Sequence, residues 1–175
     1  MNSSLTDFMF WPEDDVFFGA GVSVLCKKLE ENHSHQTYSF LNLNGFSLQN
    51  FFSERPLRRR GRHVIISSEH LMPLAHYWME KNTNVCAVFV STTSFGTVYS
   101  TLKRLPAGAV LRPVRRNYPK ISYKETVLLQ HYLATGDTSY IQNHFSRSYS
   151  AVLAWKYNLA CKLNVRKLEH LILQE

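Results

Sequence analysis

The period of the apolar positions changes once along the chain. Up to about residue 113, short apolar runs alternate with helical patterns. "DFMFW" (7–11), "TYSFLNL" (37–43), "HVIIS" (63–67), "VCAVFVS" (85–91) and the shorter "GAVLRP" (108–113) have the density of buried strands. Between them, residues 15–31 follow a helical step through Val16, Gly19/Ala20, Val24 and Lys27/Lys28. "HLMPLAHYWMEKN" (70–82) and "FGTVYSTLKRL" (95–105) also read as helices, and 46–53 is a short ambiguous segment. Strands that alternate with helices predict a parallel sheet covered on both faces.

From residue 121 the pattern is helical only. "ISYKETVLLQHYLATG" has Ser122 with Glu125 three residues on, a capping-box signature, and Gly136 as its stop. Asp137 can cap "TSYIQNHF", whose Ile141 and Phe145 point inward. Ser148 is a good N-cap for "SRSYSAVLAWKYNLACKLN" (146–164). In that stretch Val152, Trp155, Leu159 and Leu163 share one face, and Ser150, Leu153, Ala154 and Tyr157 share the other. "NVRKLEHLILQ" predicts a fourth helix, apolar along Val165, Leu168, Leu171 and Ile172. Four short helices with a tight turn between the second and third describe a helix-turn-helix module.

Composition narrows the function classes. With 45% hydrophobic residues in 175, a packed core is expected. No apolar run is long enough to span a membrane, and "MNSSLTDFMFW" lacks the form of a signal peptide. Cys26, Cys86 and Cys161 are odd in number and widely spaced, without metal-ligand or disulfide spacing, which suits a reducing cytoplasm. The formal charge of +7 is unevenly placed. Residues 1–110 hold 10 Lys/Arg and 9 Asp/Glu, whereas 111–175 hold 10 and 4. The basic excess thus belongs to the helical end, an electrostatic footprint for nucleic acid or an acidic partner.

Residues 121–172 resemble the LuxR/FixJ-type (NarL-like) DNA-binding domain. The family's opening Leu-Thr-x-x-Glu is matched by "ISYKE", its scaffold-helix pair by Ile141 and Phe145, and its recognition helix by Ser148, "AV" (151–152) and "KLNV" (162–165). Ala151, Trp155 and Asn164 depart from the Thr, His and Gly of the pattern. The N-terminal part resembles a degenerate receiver. Glu13 and Asp14 stand for the acidic pair, Gly21 for a helix glycine, Glu69 for the phosphoacceptor Asp before "MP" (72–73), and "RP" (112–113) for Lys-Pro. Ser91, Thr92 and Thr93 are candidates for the hydroxyl after the fourth strand. Only "VRRNYPK" separates the fifth strand from the first DNA-binding helix, so the usual last receiver helix has no room.

The resemblance implies an α/β plus all-α chain. A truncated receiver-like parallel sheet (1–113) and a short linker (114–120) would precede a four-helix LuxR-type helix-turn-helix domain (121–175). It implies a cytoplasmic, phosphorylation-independent transcription regulator that binds DNA. Such a chain looks like the enterobacterial auxiliary regulators of the capsule-regulation (Rcs) type, acting as a homo- or heterodimer with another LuxR-type regulator. The DNA-binding candidates are Arg147, Ser148, Ser150, Leu153, Lys156, Tyr157, Lys162, Arg166 and Lys167. The degenerate phosphoacceptor pocket would gather Glu13, Asp14, Glu69, Ser91 and Arg112. Glu69 is a methylene too long for an acceptor Asp, and Arg112 is a fork where a point charge is needed. No cofactor or metal is expected. "HSH" (33–35) has no third ligand nearby, and "RPLRRRGRH" (55–63) reads as a solvated loop or a nucleic-acid arm. An enzyme is disfavoured, because no nucleophile–base pair, phosphate-binding loop or metal cluster is visible. The alternative is a protein-binding modulator of another regulator with little DNA binding of its own.

Overall fold

The computed structural model describes residues 9–31, 37–111 and 118–173. The apolar runs form β1 (Phe10–Trp11), β2 (Tyr38–Leu43), β3 (Arg62–Ser67) and β4 (Val85–Val90). Four helices follow the strands in alternation: α1 (Val16–Glu31), α2 (Leu48–Glu54), α3 (Met72–Lys81) and α4 (Phe95–Arg104). All strand pairs are parallel, in the order β1-β2-β3-β4. The side-chain alternation of a strand divides the core. Phe10 packs toward α1, where Val22 and Leu25 join Phe40, Val64 and Leu102. Trp11 turns to the other side, against Phe51 of α2 and the cluster of Leu41, Ile65 and Leu74.

A receiver sheet runs 2-1-3-4-5, so the order here exchanges the first two strands. The steps from β1 to β2 and from β2 to β3 advance in the same direction across the sheet. Yet α1 and α2 lie on opposite faces, so these two crossovers have opposite hands. The close glycine is Gly19 and not Gly21. A Cβ on Gly19 would lie 2.7 Å from Phe10 Cε2, whereas Gly21 faces open space.

Two sequence-based expectations change. The ambiguous segment 46–53 is mostly α2, which runs on to Glu54. The expected strand at 108–113 is not a strand through Leu111, since Gly108 takes a left-handed φ of 76°. It lays one bond along β4, from Leu111 N–H to Cys86 O at 2.7 Å. Arg62 donates from its guanidinium to Pro106 O and Ala109 O, which covers part of that sheet flank. Residues 7–8 of the first expected strand, His33 and His35, and Arg112 lie outside the described residues.

The helical end comprises α5 (Tyr123–Thr135), α6 (Ser139–His144), α7 (Tyr149–Lys162) and α8 (His170–Leu173). The capping box forms as its sequence predicts. Ser122 Oγ accepts from Glu125 N–H at 3.3 Å, and Glu125 accepts from Ser122 N–H at 2.8 Å. Gly136 ends α5 at a φ of 69°. The expected fourth helix shrinks to α8, while Leu168 and Leu171 still bury their side chains. α5 packs on α2, and one apolar cluster runs from Phe51 and Phe52 through Leu128 and Leu129 to Ile141, Val152 and Leu159.

Candidate nucleic-acid interface

The turn between α6 and α7 is set by backbone hydrogen bonds. Ser146 has a left-handed φ of 50°. Its N–H reaches Asn143 O at 3.3 Å, and Arg147 N–H reaches Gln142 O at 2.9 Å. This pair of bonds is a Schellman stop, which satisfies carbonyls that α6 would otherwise leave open. Ser148 then starts α7, its Oγ accepting from Ala151 N–H at 3.3 Å. The same stop closes α7. Asn164 takes φ 53° and donates to Cys161 O, and Val165 N–H reaches Ala160 O at 3.0 Å. Asn stands where the resembled family has Gly, and Asn is the next best residue for a left-handed cap. The reversal at Asn164 also explains why no helix continues from 164.

Between these stops, α7 has two faces. Val152, Leu159 and Leu163 are fully buried against Ile141 and the α5 leucines, and Trp155 meets Phe145 edge-on at 5.7 Å. Ser150, Leu153, Ala154 and Tyr157 are exposed, Tyr157 by 68%. Arg147, Ser148, Arg166 and Lys167 are exposed beside that face, and none of these three cations is ion-paired among the described residues.

Two other candidates, Lys156 and Lys162, are half-buried and paired with carboxylates, which leaves them less available to phosphates than the three above. Lys162 Nζ lies 2.8 Å from both oxygens of Glu125. Lys156 Nζ lies 2.8 Å from Glu169 Oε1 and 3.9 Å from the centre of the Tyr132 ring. The first pair ties α7 to α5, and the second ties it to the segment just before α8. Burial of Glu125 works against its charge, but the hydrogen bonds from Lys162 and Ser122 outweigh that and lower its pKa. Glu169 accepts hydrogen bonds from Lys156 and the Tyr132 hydroxyl, which bring its pKa from 4.5 down to about 2. Sequence reading missed Glu169 and Tyr132, because nothing local links residues so far apart.

These depressed values give stability a pH dependence. A carboxylate with a folded pKa below its unfolded one stabilises the fold above the unfolded value. That contribution fades as pH falls through the folded one. Between pH 4.5 and about 2, the helical end should therefore lose stability as Glu169 takes up a proton. Glu169→Gln should flatten that part of the profile of melting temperature against pH. An unchanged slope would remove Glu169 from the account.

Among the described candidates for the acidic pocket, Glu13 and Glu69 have partners outside that set. Glu13 pairs with Arg59 at 3.1 Å, and Asp14 is exposed near Asn44 and Asn50. Glu69 lies beyond the end of β3 in a short 3-10 turn, exposed, where it accepts from the Tyr118 hydroxyl at 3.3 Å. Ser91 is exposed, and its N–H continues the ladder to Ser67 O. No three His, Cys, Asp or Glu side chains among the described residues are grouped to hold a metal ion. The ordered carboxylate is Asp15. It caps α1 through Phe18 N–H at 2.9 Å and accepts from Asn42 Nδ2 at 2.8 Å. No helix among the described residues is long and apolar enough to cross a membrane.

Comparison with known proteins gives three similarities. Residues 2–105 match the family described as the EcpR N-terminal domain. The Vi polysaccharide biosynthesis protein TviA of Salmonella typhi is 32% identical over 169 residues, covering 95% of this chain and 94% of that protein. A solved structure of the Salmonella typhimurium RcsB response regulator, from work on its conformational dynamism for DNA interaction, aligns with 91% of this chain and 93% of that one. Its TM-score is 0.36 and its identity 12%.

Proposed function

The chain belongs to the EcpR N-terminal domain family, and we propose that it is a DNA-binding transcription regulator that works without phosphorylation as an auxiliary subunit beside a LuxR-type partner. Its units are a receiver-like domain (1–113), a linker (114–120) and a helix-turn-helix domain (121–175). The observation that carries the reading is α7. It is capped at both ends, buried on one face and exposed on the other, next to Arg147, Arg166 and Lys167. In this reading those cations meet phosphates, Ser148 and Ser150 add hydroxyl contacts, and Leu153 and Tyr157 face the groove. Lys156 and Lys162 hold α7 in place instead of touching DNA. DNA binding by the full chain, measured by fluorescence anisotropy on duplexes, tests it.

The exposed face of α7 offers no Arg, Asn or Gln among Ser150, Leu153, Ala154 and Tyr157. None of these four side chains can read a base in bidentate fashion, which leaves Asn158, exposed at the edge of the face, and a partner would supply most of the sequence discrimination. α1 gives such a partner a place to sit. Phe17 is 92% exposed, Val16 and Val24 are exposed too, and Phe17 lines a groove of about 250 Å³ with Phe18, Phe95 and Val98. An apolar group of this kind on a solvent face marks an interaction surface. Phe17→Glu should weaken capture of the partner regulator about tenfold or more, with the melting temperature unchanged. Equal capture by the variant would remove α1 from the interface. The exposed α1 face also favours a second reading, a protein-binding modulator with little DNA affinity of its own.

The receiver-like part is silent as a phosphoacceptor in this account, because Glu69 stands where the acceptor Asp is expected and already accepts from the Tyr118 hydroxyl. After acetyl phosphate treatment the intact mass should be unchanged. A stoichiometric, base-labile adduct would contradict it.

A further inference from the structure

A cavity of about 340 Å³ lies where the sheet-bearing part meets α5. Its floor is aromatic, from Phe51 and Phe52 of α2 and Trp78 of α3. Its rim is cationic, from Arg55, Arg58 and Lys81, and Gln130 of α5 closes one side. No acidic residue lines it, and none of the three cations is ion-paired among the described residues. Three like charges around one opening repel each other, an arrangement that a bound anion relieves.

One detail points the same way. Arg55 adopts φ 52° and ψ 55°, the left-handed cap of α2. Glycine or asparagine fits that position with less strain. Keeping an arginine there has a cost that a use for its guanidinium would offset, and strained residues cluster at ligand sites.

We infer that this cavity binds a phosphorylated aromatic ligand of mononucleotide size, its ring against the Trp78 and Phe52 surface and its phosphate on Arg55, Arg58 and Lys81. The volume falls in the range of small-molecule sites, and the lining combines an apolar floor with a few polar groups, as such sites do. Two guanidiniums give the fork geometry that phosphate oxygens accept best. Because α2, α3 and α5 all line the cavity, an occupant would brace the helical end against the sheet-bearing part.

Titration calorimetry and tryptophan fluorescence on the full chain, with AMP, GMP and their di- and triphosphates, test this. Adenosine and inorganic phosphate serve as separate arms. A saturable signal with at least one nucleotide is expected, stronger than with either fragment. Arg55→Ala with Arg58→Ala should weaken it about tenfold or more, with an unchanged melting temperature. Trp78→Phe should abolish the fluorescence change while calorimetry still detects binding. Three results would overturn the proposal: no saturable binding of any nucleotide, undiminished binding by the double variant, or inorganic phosphate binding as tightly as the nucleotides. Neither DNA nor a partner protein enters the experiment, so its failure leaves the regulator reading standing.

Discussion

Glu125→Ala should destabilise the helical end by about 3 kcal/mol, the sum of a lost cap and a broken, largely buried ion pair. Glu125 is 8% exposed and performs two tasks with one carboxylate. It completes the capping box at the start of α5 and holds Lys162 in the last turn of α7. Removing it bares Ser122 N–H and strands a half-buried ammonium. Chemical denaturation should show an earlier midpoint with an unchanged slope. Glu125→Gln should fall between, since an amide oxygen can still accept from Ser122. A loss below about 0.5 kcal/mol, the scale of an ordinary surface substitution, would show that the pair is ornamental. Because α7 is oriented through this pair, DNA binding should weaken along with stability.

The second large effect concerns charge. Arg147→Ala, Arg166→Ala and Lys167→Ala together should reduce DNA affinity on the order of 100-fold at about 0.1 M salt, from three phosphate contacts and the counterions they release. The loss should be similar on all sequences, because phosphate contacts position the protein without reading bases. Stability should hardly change, since all three side chains are exposed. Titration of a labelled duplex with the wild-type and the triple variant provides the comparison. Equal affinities would shift the balance toward the protein-binding reading.

Much of the fold was legible because its signals are local. Ser122 with Glu125, Gly136 and Ser148 each announce a helix end within four residues of sequence. The buried triplet Val152, Leu159 and Leu163 follows from the period alone. The exposure of Ser150, Leu153 and Tyr157 follows from the same period, although what they touch does not. The features that escaped depend on long-range geometry. Lys156 and Lys162 read as DNA-binding candidates, because their partners Glu169 and Glu125 lie 13 and 37 positions away and leave no local signal. The expected fourth helix shortens to α8 after the reversal at Asn164, with Leu168 and Leu171 still buried. The apolar run at 108–111 looked like a strand, but Gly108 turns the backbone and only Leu111 bonds to the neighbouring strand. Strand order is likewise invisible in a period, and the sheet runs 1-2-3-4 where the resemblance implied a receiver. Counting back from "MP" points to Glu69, and the acidic run after the first strand points to Glu13 and Asp14, yet β3 ends before Glu69 and Glu13 pairs with Arg59.

In the proposed complex, α7 and its flanking cations hold DNA through phosphates. The most direct measurement is the affinity of the full chain for a random duplex as a function of salt. With Arg147, Arg166 and Lys167 each displacing a counterion, the log–log slope should be close to −3, and the triple alanine variant should bring it near zero. An affinity that does not change with salt, or a slope the triple variant leaves intact, would contradict the account.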